Sequence, residues 1–163
     1  MVILPTQNHY VMNALFKKMN HKNQSVLHVV NAPASFEKEM REMESLATIK
    51  TSLTGARTLE FFLGFVTTQK QLDTLIEKVT AIMAPDGLLW FAYPKGTSKK
   101  YTCEFNRDTG WAALGAAGYE GVRQVAIDED WSALRFRRAE NIKTMTRSFA
   151  MSDVGKKKTK PKA

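Results

Sequence analysis

The residues best suited to chemistry fall in one short run, Tyr93-Pro94-Lys95-Gly96-Thr97-Ser98-Lys99-Lys100, which brings three lysines, two hydroxyls and a glycine into eight positions. Ammonium groups and backbone N–H groups in such a loop can hold an anion by point charge and donated hydrogen bonds. The run lacks the second glycine of a Walker loop and no helix follows it at once, so it is not a triphosphate cradle of that kind. Its competing reading is a solvated basic loop. Two other segments follow apolar runs directly: Asn31-Ala32-Pro33-Ala34-Ser35 and Thr67-Thr68. In a sheet with helical crossovers, ligands collect at the carboxyl ends of strands, so these three loops converge. The candidate ligand-binding set is therefore Asn31, Thr67, Thr68, Lys95, Ser98, Lys99 and Lys100, facing an anionic small molecule.

The same loops lack what a nucleotide-type cofactor usually needs. A dinucleotide or adenosyl group is normally met by glycines, because a Cβ blocks close backbone approach and proline removes a donor. The Asn31 to Ser35 loop has no glycine and contains Pro33. No Asp or Glu lies between Leu46 and Leu59 to hold a ribose hydroxyl, and Thr67-Thr68-Gln69 offers no carboxylate. These absences predict a chain without a cofactor, adenosylmethionine included.

Other reactive side chains read as structural. Cys103 cannot form an internal disulfide and has only Glu104 beside it, and His9, His21 and His28 show no metal-ligand spacing. His28 sits within an apolar run and reads as a hydrogen-bonded core histidine. Trp90, Trp111 and Trp131 read as packing residues. Asp128-Glu129-Asp130 form an acidic triplet on a tight turn, and Ser132 has no triad partners at a recognisable offset. No catalytic residue and no metal ligand is assigned.

The elements that must position these loops follow from periodicity. Tyr10 to Met19 reads as a short amphipathic helix ending in Lys17 and Lys18. Ser25 to Val30 is a continuous apolar strand, buried on both faces. Ser35 caps a helix carrying Phe36, Met40 and Met43, and Ala47 to Thr51 is a short strand. Leu59 to Val66 is a second core strand; Thr68 and Gln71 have capping-box spacing before a helix with Leu72, Leu75, Ile76, Val79, Ile82 and Met83 on one stripe. Pro85-Asp86-Gly87 ends that helix, and Leu88 to Tyr93 is a third buried strand. A helix is expected from about Arg107 to Ala117, capped by Asn106 or Asp108. Gly121 to Ile127 and Trp131 to Arg138 then read as an antiparallel hairpin, Leu134 and Phe136 inward and Arg135 and Arg137 outward. Apolar strands joined by helical crossovers imply an α/β, Rossmann-like three-layer sandwich: a mostly parallel sheet with a C-terminal antiparallel hairpin.

Of 163 residues, 44% are hydrophobic and 25% charged, which places the chain outside the disordered range and predicts one core. The formal charge is +8. Half of it lies in residues 152–163, where Lys156, Lys157, Lys158, Lys160 and Lys162 face only Asp153. Such a tail has little to bury and reads as disordered, with nonspecific nucleic-acid association as its functional alternative. The organisation is thus an N-terminal helical segment (1–24), an α/β domain (25–139), a C-terminal extension (140–151) and the lysine-rich tail (152–163). No signal or membrane-spanning pattern is seen, and a cytoplasmic protein without membrane partners is expected.

The stretches VLHVVNAP, FFLGFVTTQKQL, APDGLLWFAYPKGTSKKY, FNRDTGW and DEDWSALRFRR resemble the bacterial domain-of-unknown-function family 3052 over roughly residues 15–139. That resemblance implies a shortened, class I methyltransferase-like fold and supplies no catalytic residues. The leading functional expectation is a non-catalytic or ligand-binding protein on a degenerate methyltransferase-like fold. The alternatives are an enzyme acting on an anionic small molecule at the strand-end cleft and nucleic-acid association through the tail.

Overall fold

A computed structural model describes residues 13–142. The sheet has six strands: β1 (Val26–Val30), β2 (Thr48–Lys50), β3 (Leu59–Phe65), β4 (Met83–Pro94), β5 (Tyr119–Ala126) and β6 (Trp131–Arg138). Their order across the sheet is β2-β1-β3-β4-β6-β5. The first four run parallel, and β6 and β5 are antiparallel to their neighbours. The expected α/β sandwich with a terminal antiparallel hairpin is what the chain forms.

Among the described residues four α-helices flank the sheet: α1 (Ala14–Lys18), α2 (Glu37–Met43), α3 (Gln69–Thr80) and α4 (Ala112–Ala116). β3 and β4 are buried on both faces because their apolar runs serve two cores. On one face Phe16 of α1 and Phe36 and Met43 around α2 pack on Leu27, Val29, Phe61, Phe65, Trp90 and Ala133. On the other, Leu72, Leu75, Ile76 and Val79 of α3 and Leu114 of α4 pack on Phe62, Phe91 and Phe136. Trp90 and Trp111 bury their rings and bond through Nε1 to the carbonyls of Met19 (3.1 Å) and Asn106 (2.9 Å).

Three elements differ from expectation. The long helix stops at Thr80, short of Ile82 and Met83, and Pro85-Asp86-Gly87 neither ends it nor precedes the third core strand but lies within that strand: Leu59 pairs with Met83 and Phe61 with Leu88, so the intervening residues bulge. Arg137 holds the bulge by a two-pronged bond to Asp86, at 2.8 and 2.6 Å. The helix expected over Arg107 to Ala117 shrinks to Ala112–Ala116. Asn106 spends its side-chain oxygen on the N–H groups of Asp108 and Thr109, closing a tight turn in place of a helical cap. Arg135 is half-buried, not outward in water, and its Nε meets no partner.

Candidate functional site

The order of the connections locates the site. From β1 the chain moves outward to β2 across the α2 face, then crosses back over β1 to β3 and continues to β4 across the α3 face. The direction therefore reverses between β1 and β3, and in open α/β sheets ligands bind at the strand carboxyl ends beside such a reversal. Asn31 stands at the end of β1 with φ of 61°, a left-handed conformation that only glycine, asparagine and aspartate adopt readily. Its side chain is exposed. Thr51 and Ser52 follow β2.

The end of β3 is closed by the chain itself. Thr68 caps α3 by accepting from the Gln71 N–H (3.1 Å), and the Gln71 side chain accepts from the Thr67 N–H (2.9 Å). The Thr67 carbonyl accepts from the Glu104 N–H (3.0 Å), and the Glu104 carboxylate accepts from the Gln69 N–H (2.8 Å). Thr67 and Thr68 thus work as structural groups, and the helix terminus already holds its own acid.

Beyond β3, at the same edge of the sheet, lies an open cleft of ≈ 860 Å³ between the ends of β4, β5 and β6 and the segment Lys95 to Thr109. Lys95 and Ser98 line it; Asn31, Thr67, Thr68, Lys99 and Lys100 do not. Of the seven candidates, the structure brings only these two together here. Lys99 and Lys100 are exposed, and Lys100 Nζ lies 5.5 Å from the Tyr101 ring centre. Ser98 is a brace: its hydroxyl donates to Asp130 (2.8 Å) and accepts from the N–H groups of Lys100 and Tyr101. Asp130 also receives the Lys95 N–H at its carbonyl (2.8 Å), while Asp128 accepts from the Asp130 and Trp131 N–H groups. The acidic triplet is therefore the clamp of the lysine loop.

The floor of this cleft, which sequence reasoning missed, is polar. Tyr93 on β4, Ser132 on β6 and Gln124 on β5 share one face, Tyr93 standing directly opposite Ser132. Gln124 Nε2 donates to the Tyr93 hydroxyl (3.2 Å). Burial pushes the Tyr93 phenol up to about 12, so it keeps its proton at neutral pH. The available signal was Ser132, a hydroxyl within an apolar strand, but its neighbours become visible only with the strand register. Cys103 also lines the cleft; burial, above all, raises its thiol, which stays protonated and unreactive. His28 is buried with Nδ1 unpartnered, contrary to the hydrogen-bonded reading, and burial and then Lys50 lower its pKa.

Among the described residues no cluster of three metal-ligating side chains occurs, and no helix is long and apolar enough to cross a membrane. The lysines of 152–163 lie outside the described residues.

No protein-family model matches the chain, and no curated protein matches its sequence. Solved structures do match. The N-methyltransferase NodS from Bradyrhizobium japonicum WM9, in complex with S-adenosyl-l-homocysteine, superposes with a TM-score of 0.50 at 14% identity, over 82% of this chain and 86% of that one. A SAM-dependent methyltransferase from Aquifex aeolicus gives 0.48 at 10% identity, over 81% and 92%. A ribosomal protein L11 methylase from Lactobacillus delbrueckii subsp. bulgaricus gives 0.47 at 10% identity, over 75% and 73%.

The expectation of a chain without adenosylmethionine is corrected by the likeness to NodS, a structure in complex with S-adenosyl-l-homocysteine. The physical reason is local. The glycine-free loop still makes a tight left-handed turn after β1, because Asn31 adopts a φ of 61°. The chain has the Rossmann-like methyltransferase fold.

Proposed function

We propose that this chain binds adenosylmethionine at the reversal between β1 and β3 and transfers its methyl group to an acceptor seated in the neighbouring cleft. The observation that carries this reading is the placement of an ≈ 860 Å³ cleft at the same sheet edge as the reversal, in a chain of this fold. β1 and β4 are separated by β3 alone, about 10 Å at ordinary strand spacing, so the two positions adjoin.

The residues at the reversal suit the group. The left-handed turn at Asn31 bends the chain away from the end of β1 and presents an exposed amide side chain that both donates and accepts. The exposed hydroxyls of Thr51 and Ser52, at the end of β2, stand where an acid was sought and can pair with sugar hydroxyls. When bound, the cofactor supplies a methyl group on a positively charged sulfur. Tyr93 and Ser132 would orient the acceptor from the cleft floor. Tyr93, holding its proton to about 12, donates a hydrogen bond and does not act as a base at neutral pH. The braced Lys95 to Tyr101 loop forms one wall of the acceptor's cleft.

Calorimetric titration of the full chain with adenosylmethionine and with adenosylhomocysteine tests the reading. Dissociation constants of about 100 μM or tighter are expected. Absence of binding by either at about 1 mM would overturn it. Asn31→Gly keeps the turn and removes the amide, so it should weaken binding about tenfold without lowering the thermal midpoint.

A further inference from the structure

The cleft floor narrows the acceptor, and this inference rests on the methyl-transfer reading only for the word acceptor. Ser132 is 4% exposed, lines the cleft, and its hydroxyl makes no hydrogen bond among the described residues. Its oxygen is not among the fully buried unpartnered atoms, so the hydroxyl opens onto the cleft and is free to bond a ligand. Tyr93, also 4% exposed, receives a hydrogen bond from Gln124 and so has its own O–H left to donate. Lys95 lines the same cleft and makes no ion pair among the described residues.

The carboxylates nearby each already hold a donor. The Glu104 carboxylate takes the Gln69 N–H, the Asp130 carboxylate takes the Ser98 hydroxyl, and the Asn106 side-chain oxygen takes two N–H groups of its own turn. Arg107 and Asp108, also in the lining, pair with each other at 3.4 Å, which leaves two neutral hydroxyls on the floor and the Lys95 ammonium at the wall as donors without a protein partner among the described residues. Donors converging on one volume select a ligand rich in acceptors and negatively charged. The same volume is bordered by the rings of Tyr93, Tyr101 and Phe105, which offer apolar contact and prefer another ring.

We infer that the cleft binds a small aromatic carboxylate, its carboxylate taken by Lys95 and the floor hydroxyls of Ser132 and Tyr93, and its ring laid against Tyr101 and Phe105. The test uses 4-hydroxybenzoate as probe, titrated into the full chain without cofactor and followed by amide NMR shifts. A dissociation constant on the order of 1 mM or tighter is expected, with shifts at Tyr93, Lys95 and Ser132. Ser132→Ala and Lys95→Gln should each weaken it about tenfold, and 4-hydroxybenzamide, with the charge removed, should bind at least tenfold more weakly. No saturable binding, or equal binding by both variants, would overturn the inference. Displacement of the probe by equimolar inorganic phosphate would overturn it too, since the ring would then contribute nothing. Adenosylhomocysteine titrated into the same samples separates the two claims. If it binds and 4-hydroxybenzoate does not, the aromatic site falls and methyl transfer stands; the opposite pattern removes methyl transfer and leaves the aromatic site.

Discussion

Gly110 joins the cleft wall to α3, and replacing it with alanine should show how tightly that wall is built. Its φ is +93°, and its carbonyl accepts from the Gln69 side chain at 2.8 Å. A Cβ placed there would come within 2.6 Å of the Phe105 Cβ and 2.9 Å of Gln69 Oε1. Phe105 is buried against Trp111 and Tyr93, so it has nowhere to retreat. The left-handed conformation costs an alanine about 1 to 2 kcal/mol, overpacking adds about 1 to 3, and the stiffer unfolded chain returns about 0.4 to 1. The net loss for Gly110→Ala is about 3 kcal/mol, or roughly 10 °C in thermal midpoint for a domain of this size. Gly118 separates the two costs: its φ is +90°, but a Cβ there meets nothing within 4 Å. Gly118→Ala should therefore lose only about 1 kcal/mol. Urea unfolding of both variants, followed by tryptophan fluorescence, measures the difference. If Gly110→Ala were no worse than Gly118→Ala, the claim of a tightly packed wall around Phe105 would be wrong.

Three further outcomes are expected. Ser98→Ala removes the bond to Asp130 and two accepted N–H bonds; a net loss of about 1 kcal/mol locally raises the open population of the lysine loop about fivefold, read as faster trypsin cleavage after Lys99 or Lys100. Asp86, pulled below its usual 3.8 chiefly by its hydrogen bond from Arg137, adds stability that is present above that value and is lost as pH falls through the lower folded one. Asp86→Asn tolerates the left-handed turn and should cost about 0.5 to 1 kcal/mol at pH 7, a gap that closes in acid unfolding curves below about pH 4. His28, whose pKa is lowered by burial and by Lys50, is held neutral in the fold, so its contribution is present above 6.5 and declines as pH falls below that value; a His28→Leu variant should show a flatter stability curve between pH 7 and 5.

How much of this was legible follows from the range of each signal. The runs LHVV, EFFLGF and LLWFAY could only be strands buried on both faces, because so much apolar surface has no other way to leave water. The capping box at Thr68 and Gln71 marked the start of α3 to the residue, with Gln71 reaching back to the Thr67 N–H. Asn106 misled because one side chain serves equally as helix cap or turn closer, and Thr109 and Gly110 decide for the turn. The absence of glycine after β1 says nothing about the turn there, because asparagine is among the few residues that tolerate positive φ. The cleft floor was hidden for a different reason. Tyr93, Gln124 and Ser132 meet only through the β4, β6 and β5 register, which includes a shift between Gly121 and Arg123 that no local pattern announces.

The two ends of the strand edge are built to different stiffness, and that bears on how they would work together. Around the cleft, Ser98 to Asp130, Glu104 to Gln69 and Gln69 to Gly110 tie β4, β6 and α3 into one frame before any ligand arrives. At the other end β2 has three residues on the sheet margin, and its return to β3 over residues 51–58 contains no helix; only Leu53 and Ala56 pack down onto the core. Few buried contacts mean low local stability, so this is the side that a ligand can order on binding. On the proposed reading, the donor loads into the yielding half and the rigid half fixes the geometry of transfer. The cost of ordering the β2 side would then fall on the proposed cofactor's affinity, while the alignment of an acceptor would be set by the fold itself.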